Sequence, residues 1–396
     1  MSKLEELIQQ YCPDGVEYVK LGDIEDQGYI KLGRGNVISK QDMKDCPGDF
    51  PVYSSSSVGD GEIGRYGKYM FDDERISWSI DGGGKFFYRN NLRYSITNVS
   101  GWLKVLAPKV VSTKYLYYTL MNEWVKKVYD YTHKAHPSVI REEYIIPIPP
   151  LPVQEEIVRI LDAFAELQAE LQAELQKRLQ QYNYYRDKLL SFDGRTDVEW
   201  KKLGDIASIK TGRRFVRTDI KESGVPCFHY GDLYTYYGLT ATQTKGYLDE
   251  ELAKKLRFAQ PNDVVVVCAG ENDMDLGVGV AWLGNEPAVV HDACCILHHN
   301  QNPRYISHFL RTHNYHLQMK KYVKNGKISS LPASGLAEAL IPIPSLEEQE
   351  KIASILDRFD ALTNDLSAGL PAEIEKRRQQ YEYYRDKLLT FIRKKA

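Results

Sequence analysis

The segment 151–192, LPVQEEIVRILDAFAELQAELQAELQKRLQQYNYYRDKLLSF, decides how the rest of the chain is read. Its apolar residues fall at Ile157, Ile160, Phe164, Leu167, Leu171, Leu175, Leu179, Tyr182, Tyr185 and Leu189, a stripe of three- and four-residue steps. That spacing predicts one amphipathic helix with a narrow apolar seam. From Gln154 to Ser191, at about 1.5 Å per residue, it would run roughly 55 Å, more than the packing of one small domain needs. Something must cover the seam along its length.

The cover is expected from the same chain, because the motifs of this segment return near the C-terminus. Ile146-Pro147-Ile148-Pro149 recurs as Ile341-Pro342-Ile343-Pro344. Gln154-Glu155-x-Ile157 through Ile160-Leu161-Asp162-x-Phe164 recurs as Gln349-Glu350-x-Ile352 through Ile355-Leu356-Asp357-x-Phe359. Tyr184-Tyr185-Arg186-Asp187-Lys188-Leu189-Leu190 recurs as Tyr383-Tyr384-Arg385-Asp386-Lys387-Leu388-Leu389, so the second copy is four residues longer. The regions in front of the helices echo each other too, Val16-Glu17-Tyr18-x-Lys20-Leu21-Gly22-Asp23-Ile24 against Val198-Glu199-Trp200-x-Lys202-Leu203-Gly204-Asp205-Ile206. The chain is two copies of one plan, a globular domain followed by a long helix.

With 396 residues, 43% hydrophobic and 27% charged, the chain can hold two or three domains of ordinary soluble composition. Residues 1–10 are polar and helix-like, and no run approaches the roughly 20 apolar residues of a membrane span, so a cytoplasmic protein is expected. Six cysteines show neither a C-x-x-C pair nor zinc spacing and are expected to be free and buried. The net charge of -2 conceals local asymmetry. Lys201 to Lys221 carries seven basic residues against Asp205 and Asp219, and Arg304 to Lys327 carries six with no acid. Two such runs in one domain point to an anionic partner.

In the first domain, strands are expected at 50–53, 62–66, 76–80, 85–88 and 102–106, then a helix over 113–130 with Leu116, Leu120, Trp124 and Val128 on one face. In the second, strands are expected at 263–268, 278–283, 288–291 and 294–298, then a helix over 304–322 presenting Ile306, Phe309, Leu310, His313 and Leu317. Strands followed by a helix in each copy give an α+β fold class. Gly369-Leu370-Pro371 should kink or interrupt the second long helix.

No catalytic signature is visible. A methyltransferase would carry a Gly-rich cofactor loop after a strand and an Asn/Asp-Pro-Pro-aromatic tetrapeptide, and neither is found. Asp81-Gly82-Gly83-Gly84-Lys85-Phe86 imitates a phosphate loop, but Ser79 replaces its first Gly and Phe86 its hydroxyl residue, so a tight strand turn is expected. His298, His299, His308, His313 and His316 lack carboxylate spacing and read as core or surface histidines rather than metal ligands.

The paired Ile-Pro-Ile-Pro segments, the two Gln-Glu-x-Ile...Ile-Leu-Asp-x-Phe stretches, Gly369-Leu370-Pro371-x-Glu373-Ile374 and the doubled Tyr-Tyr-Arg-Asp-Lys-Leu-Leu ends resemble the specificity (S) subunit of type I restriction-modification systems. The resemblance covers the whole chain. It implies two target-recognition domains, 1–146 and 193–341, separated by a central helical region, 147–192, and a C-terminal one, 342–396. The two helical regions would pair as an antiparallel coiled coil. It further implies a non-catalytic DNA-specificity subunit whose domains each read one half of a split double-stranded DNA site and whose helices bind two methyltransferase (M) subunits. Restriction (R) subunits would join the full complex. No cofactor is expected in this chain; S-adenosylmethionine, ATP and Mg would belong to the partner subunits.

Ala165-Glu166-Leu167-Gln168 repeats as residues 169–172 and 173–176, three copies in all. Each unit adds about 6 Å and a net turn of about 40°, against about 3.4 Å per DNA base pair, so the copy number is expected to set the spacer between half-sites. DNA contacts are expected from Lys31, Arg34, Lys85, Asn90, Asn91, Arg93 and Lys134 in the first domain. In the second they are expected from Lys210, Arg213, Arg214, Tyr230, Lys245, Lys324 and Lys327. Gly82-Gly83-Gly84 would permit close backbone approach to the duplex. Glu155, Glu156, Glu170 and Glu174 are read as exposed acids, either solvated or facing the methyltransferase. Tyr182, Tyr184, Tyr185, Tyr381, Tyr383 and Tyr384 cluster at the helix ends as partner contacts or seam filling. The competing reading is a non-catalytic two-domain coiled-coil scaffold without sequence-specific DNA binding; a self-contained nuclease or methyltransferase is disfavoured by the missing motifs.

Overall fold

The Ile-Pro-Ile-Pro segments become strands, and their partners are the other repeated motif. Ile145–Pro147 pairs antiparallel with Tyr18–Lys20, and Leu340–Ile343 pairs antiparallel with Glu199–Lys202. Proline is tolerated because each is a two-stranded sheet made only of edges. The computed structural model describes residues 2–56, 59–90, 93–130, 132–270, 276–326, 328–365 and 368–394. It divides into two units, Met1–Ala169 with Lys376–Ala396, and Glu170–Glu375.

In the first unit an antiparallel sheet runs in the order Ile30–Arg34, Ser100–Val105, Arg75–Ser79, Phe86–Arg89. A second sheet has Phe50–Tyr53 at its centre, antiparallel to Glu62–Tyr66 and parallel to Ser95–Ile96. The helix Thr113–Trp124, N-capped by Ser112, lays Tyr115, Leu116 and Leu120 into a core shared with Ile76, Trp78, Phe86, Ile157 and Leu161. It is shorter than the 113–130 expected: the next residues tighten into turns, Lys126 N–H to Glu123 O and Lys127 N–H to Trp124 O, and Val128 is exposed. The ends of the chain close this unit. Tyr18 Oη donates to Phe391 O at 3.1 Å and accepts from Phe391 N at 3.0 Å.

The second unit repeats the plan. Its larger sheet runs Ala207–Thr211, Cys294–His299, Val264–Val267, Gly279–Trp282, Thr240–Ala241, and the other runs Gly246–Leu248, Val225–Phe228, Ala288–Val290, Phe258–Ala259. Val264–Val267 is buried at every position, which explains its unbroken apolar run. The helix expected over 304–322 is two helices, Pro303–Phe309 and His313–Met319. Thr312 makes the break: its Oγ1 donates to Phe309 O at 2.8 Å and accepts from Tyr315 N at 3.3 Å. The break rotates the second helix, so Tyr315 and Met319 are buried while His313 and Leu317 are exposed, contrary to the single-helix face.

The first long helix is continuous over Leu151–Ser191. The second is interrupted as Gly369-Leu370-Pro371 predicts, into Leu346–Asn364 and Leu370–Leu388, with Gly369 N–H donating to Asp365 O. Within each unit the helix copies meet antiparallel and reciprocally. Phe164 stacks on Tyr384 with centroids 5.6 Å apart, and its counterpart Phe359 stacks on Tyr185, also at 5.6 Å. Leu167, Leu171, Leu175 and Leu179 are half-buried, as a narrow seam requires.

The repeated Gln and Asp tie each domain to its helix. Gln154 Nε2 donates to Val110 O and Pro149 O, and its Oε1 accepts from Ser112 N at 2.9 Å. Gln349 does the same with Pro344 O and with Asn302 N at 3.0 Å. Asp162 accepts from Lys114 and Tyr118; Asp357 pairs with Arg304 and with His308 Nε2. Glu156, read as an exposed acid, is instead buried between Arg159 and Lys3, and the hydrogen bond from Arg159 lowers its pKa to about 2. Five of the six free cysteines are buried, and Cys46 is half-buried. Among the described residues no helix is long and apolar enough to cross a membrane.

Candidate nucleic-acid interface

Each unit builds the same backbone frame from three chain segments that follow paired strands, and in the second unit that frame lines a cavity. In the second unit the turn after Ala207–Thr211 begins at Gly212, where a Cβ would lie 2.2 Å from His291 O, so only glycine lets the turn press against the neighbouring loop. Arg213 N–H then donates to Val290 O at 3.0 Å, which launches Arg214 and Phe215 over the ends of the parallel strands Val225–Phe228 and Ala288–Val290. The residues immediately after those strands, His229 and His291, stand side by side with ring centroids 4.8 Å apart. Tyr230 tilts against both rings and buried Phe215 meets them edge-on. These residues, with Arg214 and Asp292, line a cavity of about 410 Å³.

Burial holds both imidazoles below the ordinary histidine range, reinforced at His229 by its neighbour His291. The Gly231 N–H donates to His229 Nδ1 at 3.3 Å and the Ala293 N–H to His291 Nδ1 at 3.1 Å. An N–H aimed at a ring nitrogen leaves no place for a proton there, so neutral His229 carries its hydrogen on Nε2, whereas the Nδ1 of His291 also faces the Asp292 carboxylate at 3.1 Å. The wall is therefore aromatic with an N–H donor at His229, and Arg214 and the Asp292 carboxylate add a basic group and an acceptor to the lining.

The first unit reproduces this frame with other side chains. Gly35 presses against Ile96 O and Thr97 O as Gly212 does against Val290 O and His291 O. Asn36 N–H donates to Ile96 O as Arg213 N–H does to Val290 O, and Thr97 N–H to Tyr53 O as His291 N–H does to Phe228 O. Ser54 and Thr97 thus occupy the positions of His229 and His291, and their hydroxyls share a hydrogen bond of 2.8 Å. Arg34 donates from Nε and Nη2 to Asn98 O and from Nη1 to His136 Nε2 at 3.2 Å, which pins the loop carrying Asn98.

Of the expected contact residues, Arg214 and Tyr230 line the second unit's cavity, and Arg213 flanks it with its guanidinium on Lys255 O. Arg34 holds the Asn98 loop of the first unit, and Lys134 is paired with Asp81 at 2.9 Å. Others lie apart. Lys31 faces Lys104 across the sheet, and Lys210 lines a separate hollow with Arg257, Asp263 and His298. Lys245 is paired with Asp232 at 3.0 Å. Lys85 lies over Phe87 and Arg93 over Tyr69, Asn90 is exposed after its strand, and Lys324 is exposed beside Ser330. Asn91 and Lys327 fall outside the described residues. Within the protein, Gly82 and Gly84 allow close packing: at Gly82 a Cβ would meet Ser55 O at 2.0 Å and at Gly84 the Tyr129 ring at 2.5 Å. The turn they form is the expected one, with Gly84 N–H donating to Ser79 O. Sequence reasoning missed His229, His291, Phe215 and Asp292. Their signal is the register of two strands far apart in the chain, invisible until those strands pair.

Residues 13–181 and 196–376 match the family described as type I restriction modification DNA specificity domain. The chain belongs to that family. It is 35% identical over 293 residues to the Escherichia coli EcoR124I/EcoR124II type I restriction enzyme specificity subunit, covering 70% of each chain. To a putative type I restriction enzyme specificity subunit of Haemophilus influenzae it is 30% identical over 375 residues, covering 87% of this chain and 89% of that one. Among solved structures it resembles the type I restriction-modification S subunit of M. genitalium, with a TM-score of 0.56 at 17% identity, over 95% of this chain and 96% of that one. That likeness extends the shared fold across both units and both long helices of this specificity-family member.

Proposed function

We propose that this chain is the DNA sequence-specificity subunit of a type I restriction-modification complex, each unit reading one half of a split duplex site. The observation that carries this reading is the strand-end frame built twice in one backbone register with different side chains, Ser54 and Thr97 against His229 and His291. A repeated backbone frame carrying different side chains suits recognition of two different half-sites. The chain itself performs no catalysis and holds no cofactor in this reading. S-adenosylmethionine serves two methyltransferase subunits docked on the long helices, and ATP and Mg serve the restriction subunits. The continuous helix through the three Ala-Glu-Leu-Gln copies sets the spacer.

The test is reconstitution with the neighbouring methyltransferase subunit, methylation of genomic DNA, and sequencing of modified bases. A split motif with a fixed gap is expected. Deleting residues 169–172 should shorten the gap by about one or two base pairs while both half-sites stay the same; an unchanged gap refutes the spacer role. An active, well-folded complex that modifies no split motif would favour the scaffold reading.

A further inference from the structure

The paired register assigns more than a common frame. Ser100 N–H donates to Thr97 O at 3.0 Å and Cys294 N–H to His291 O at 3.0 Å. Ile80 N–H donates to Val99 O and Cys268 N–H to Ala293 O. These bonds fix Asn98 and Asp292 as the same position in the two loops. The turns after the first strands match likewise, Gly35 with Gly212 and Asn36 with Arg213, so Val37 and Arg214 are the same position. Val37 is 76% exposed, an apolar side chain displayed to solvent at the point where the other unit displays an arginine.

The two pairs have opposite chemistry toward a base pair. In the major groove a G·C pair offers two acceptors, guanine N7 and O6, then a donor, cytosine N4. Arg214 supplies donors for the first two and Asp292, whose side chain is 43% exposed, an acceptor for the third. His229, with its hydrogen on Nε2, adds a donor on the same wall. An A·T pair offers the N7 acceptor and N6 donor of adenine, which an asparagine amide engages together, and the thymine methyl, which suits an apolar contact. Asn98 and Val37 are that combination, and Arg34 holds the Asn98 backbone in place through two hydrogen bonds to its carbonyl.

We propose that this shared position reads one base pair in each half-site, a G·C pair through Arg214 and Asp292 in the Glu170–Glu375 unit and an A·T pair through Asn98 and Val37 in the other. The assignment rests on the DNA-specificity reading above and deepens it. All four side chains are exposed or half-buried, so substituting them leaves the cores untouched.

The experiment uses the complete complex with its methyltransferase subunits. Genomic methylation by the wild type first gives the split motif. Arg214→Ala is expected to relax one G·C position in one half-site, and Asn98→Ala one A·T position in the other. On synthetic duplexes, 7-deazaguanine at the relaxed position should weaken wild-type binding roughly tenfold and leave the Arg214→Ala complex unaffected. Variants that keep the full wild-type motif, that relax both half-sites together, or that relax a base pair of the other kind would overturn the assignment and leave the DNA-specificity function standing. A wild-type complex with no split motif would overturn both.

Discussion

Gln154 and Gln349 show what a repeated residue is for. Both are fully buried, and each satisfies a backbone N–H and a backbone carbonyl where its domain enters its long helix. Replacing either with alanine strands these groups without water, and a buried unsatisfied polar group costs about 1–3 kcal/mol. Urea unfolding of Gln154→Ala and Gln349→Ala should show a loss of that size in each; a loss below about 0.5 kcal/mol would mean that water substitutes for the amide. The sequence marked these glutamines as repeated but could not give their partners, because Val110 and Asn302 lie far away along the chain. Side-chain chemistry at the interface was legible only in part. Of the residues expected as contacts, Arg214 and Tyr230 line the second unit's cavity and Arg34 holds the Asn98 loop, while Lys134 and Lys245 are paired with Asp81 and Asp232.

At the scale of elements, periodicity was the dependable signal. The Leu151–Ser191 helix, its seam and the Gly369 break follow from apolar spacing and from proline sterics, which are local properties. The 304–322 region misled because its spacing continues across Thr312, whose hydroxyl ends one helix and caps the next. The same helices carry exposed aromatics that their own seam does not use. Tyr184 and Tyr383, equivalent residues of the two copies, are 59% and 63% exposed. If they dock methyltransferase subunits, Tyr184→Ala with Tyr383→Ala should leave unfolding midpoints nearly unchanged and weaken assembly by about 2 kcal/mol or more. Sedimentation of the variant with the methyltransferase checks this, and undiminished assembly would return both residues to the solvated surface.

The two units share a plan but differ in their titration. Burial holds His229, His291, His299, His308 and His316 below the ordinary 6.5, and all five belong to the Glu170–Glu375 unit. Their rings stay neutral in the folded state where the unfolded chain takes up protons. Their contribution is therefore complete above pH 6.5 and is lost as the pH falls below it, by at most about 1.4 kcal/mol per pH unit for each ring. Hydrogen exchange at about pH 7.5 and about pH 5.5, corrected for intrinsic rates, should show the Val264–Val267 strand losing protection while Arg75–Ser79 keeps it. Equal behaviour of the two strands would contradict this account.

By itself the sequence determined the duplication, the long helices and their seam, the break at Gly369 and, in each copy, a run of strands ahead of a helix. All of these are written in spacing and repetition, which survive without knowledge of distant neighbours. Only the tertiary structure decided that Asn98 and Asp292, or Val37 and Arg214, are the same position. Those residues share no type and no motif, and their equivalence lies in backbone hydrogen bonds between strands that are remote in the chain. Strand register is a long-range property, set by which hydrophobic faces pack together, and the surface these loops present inherits it.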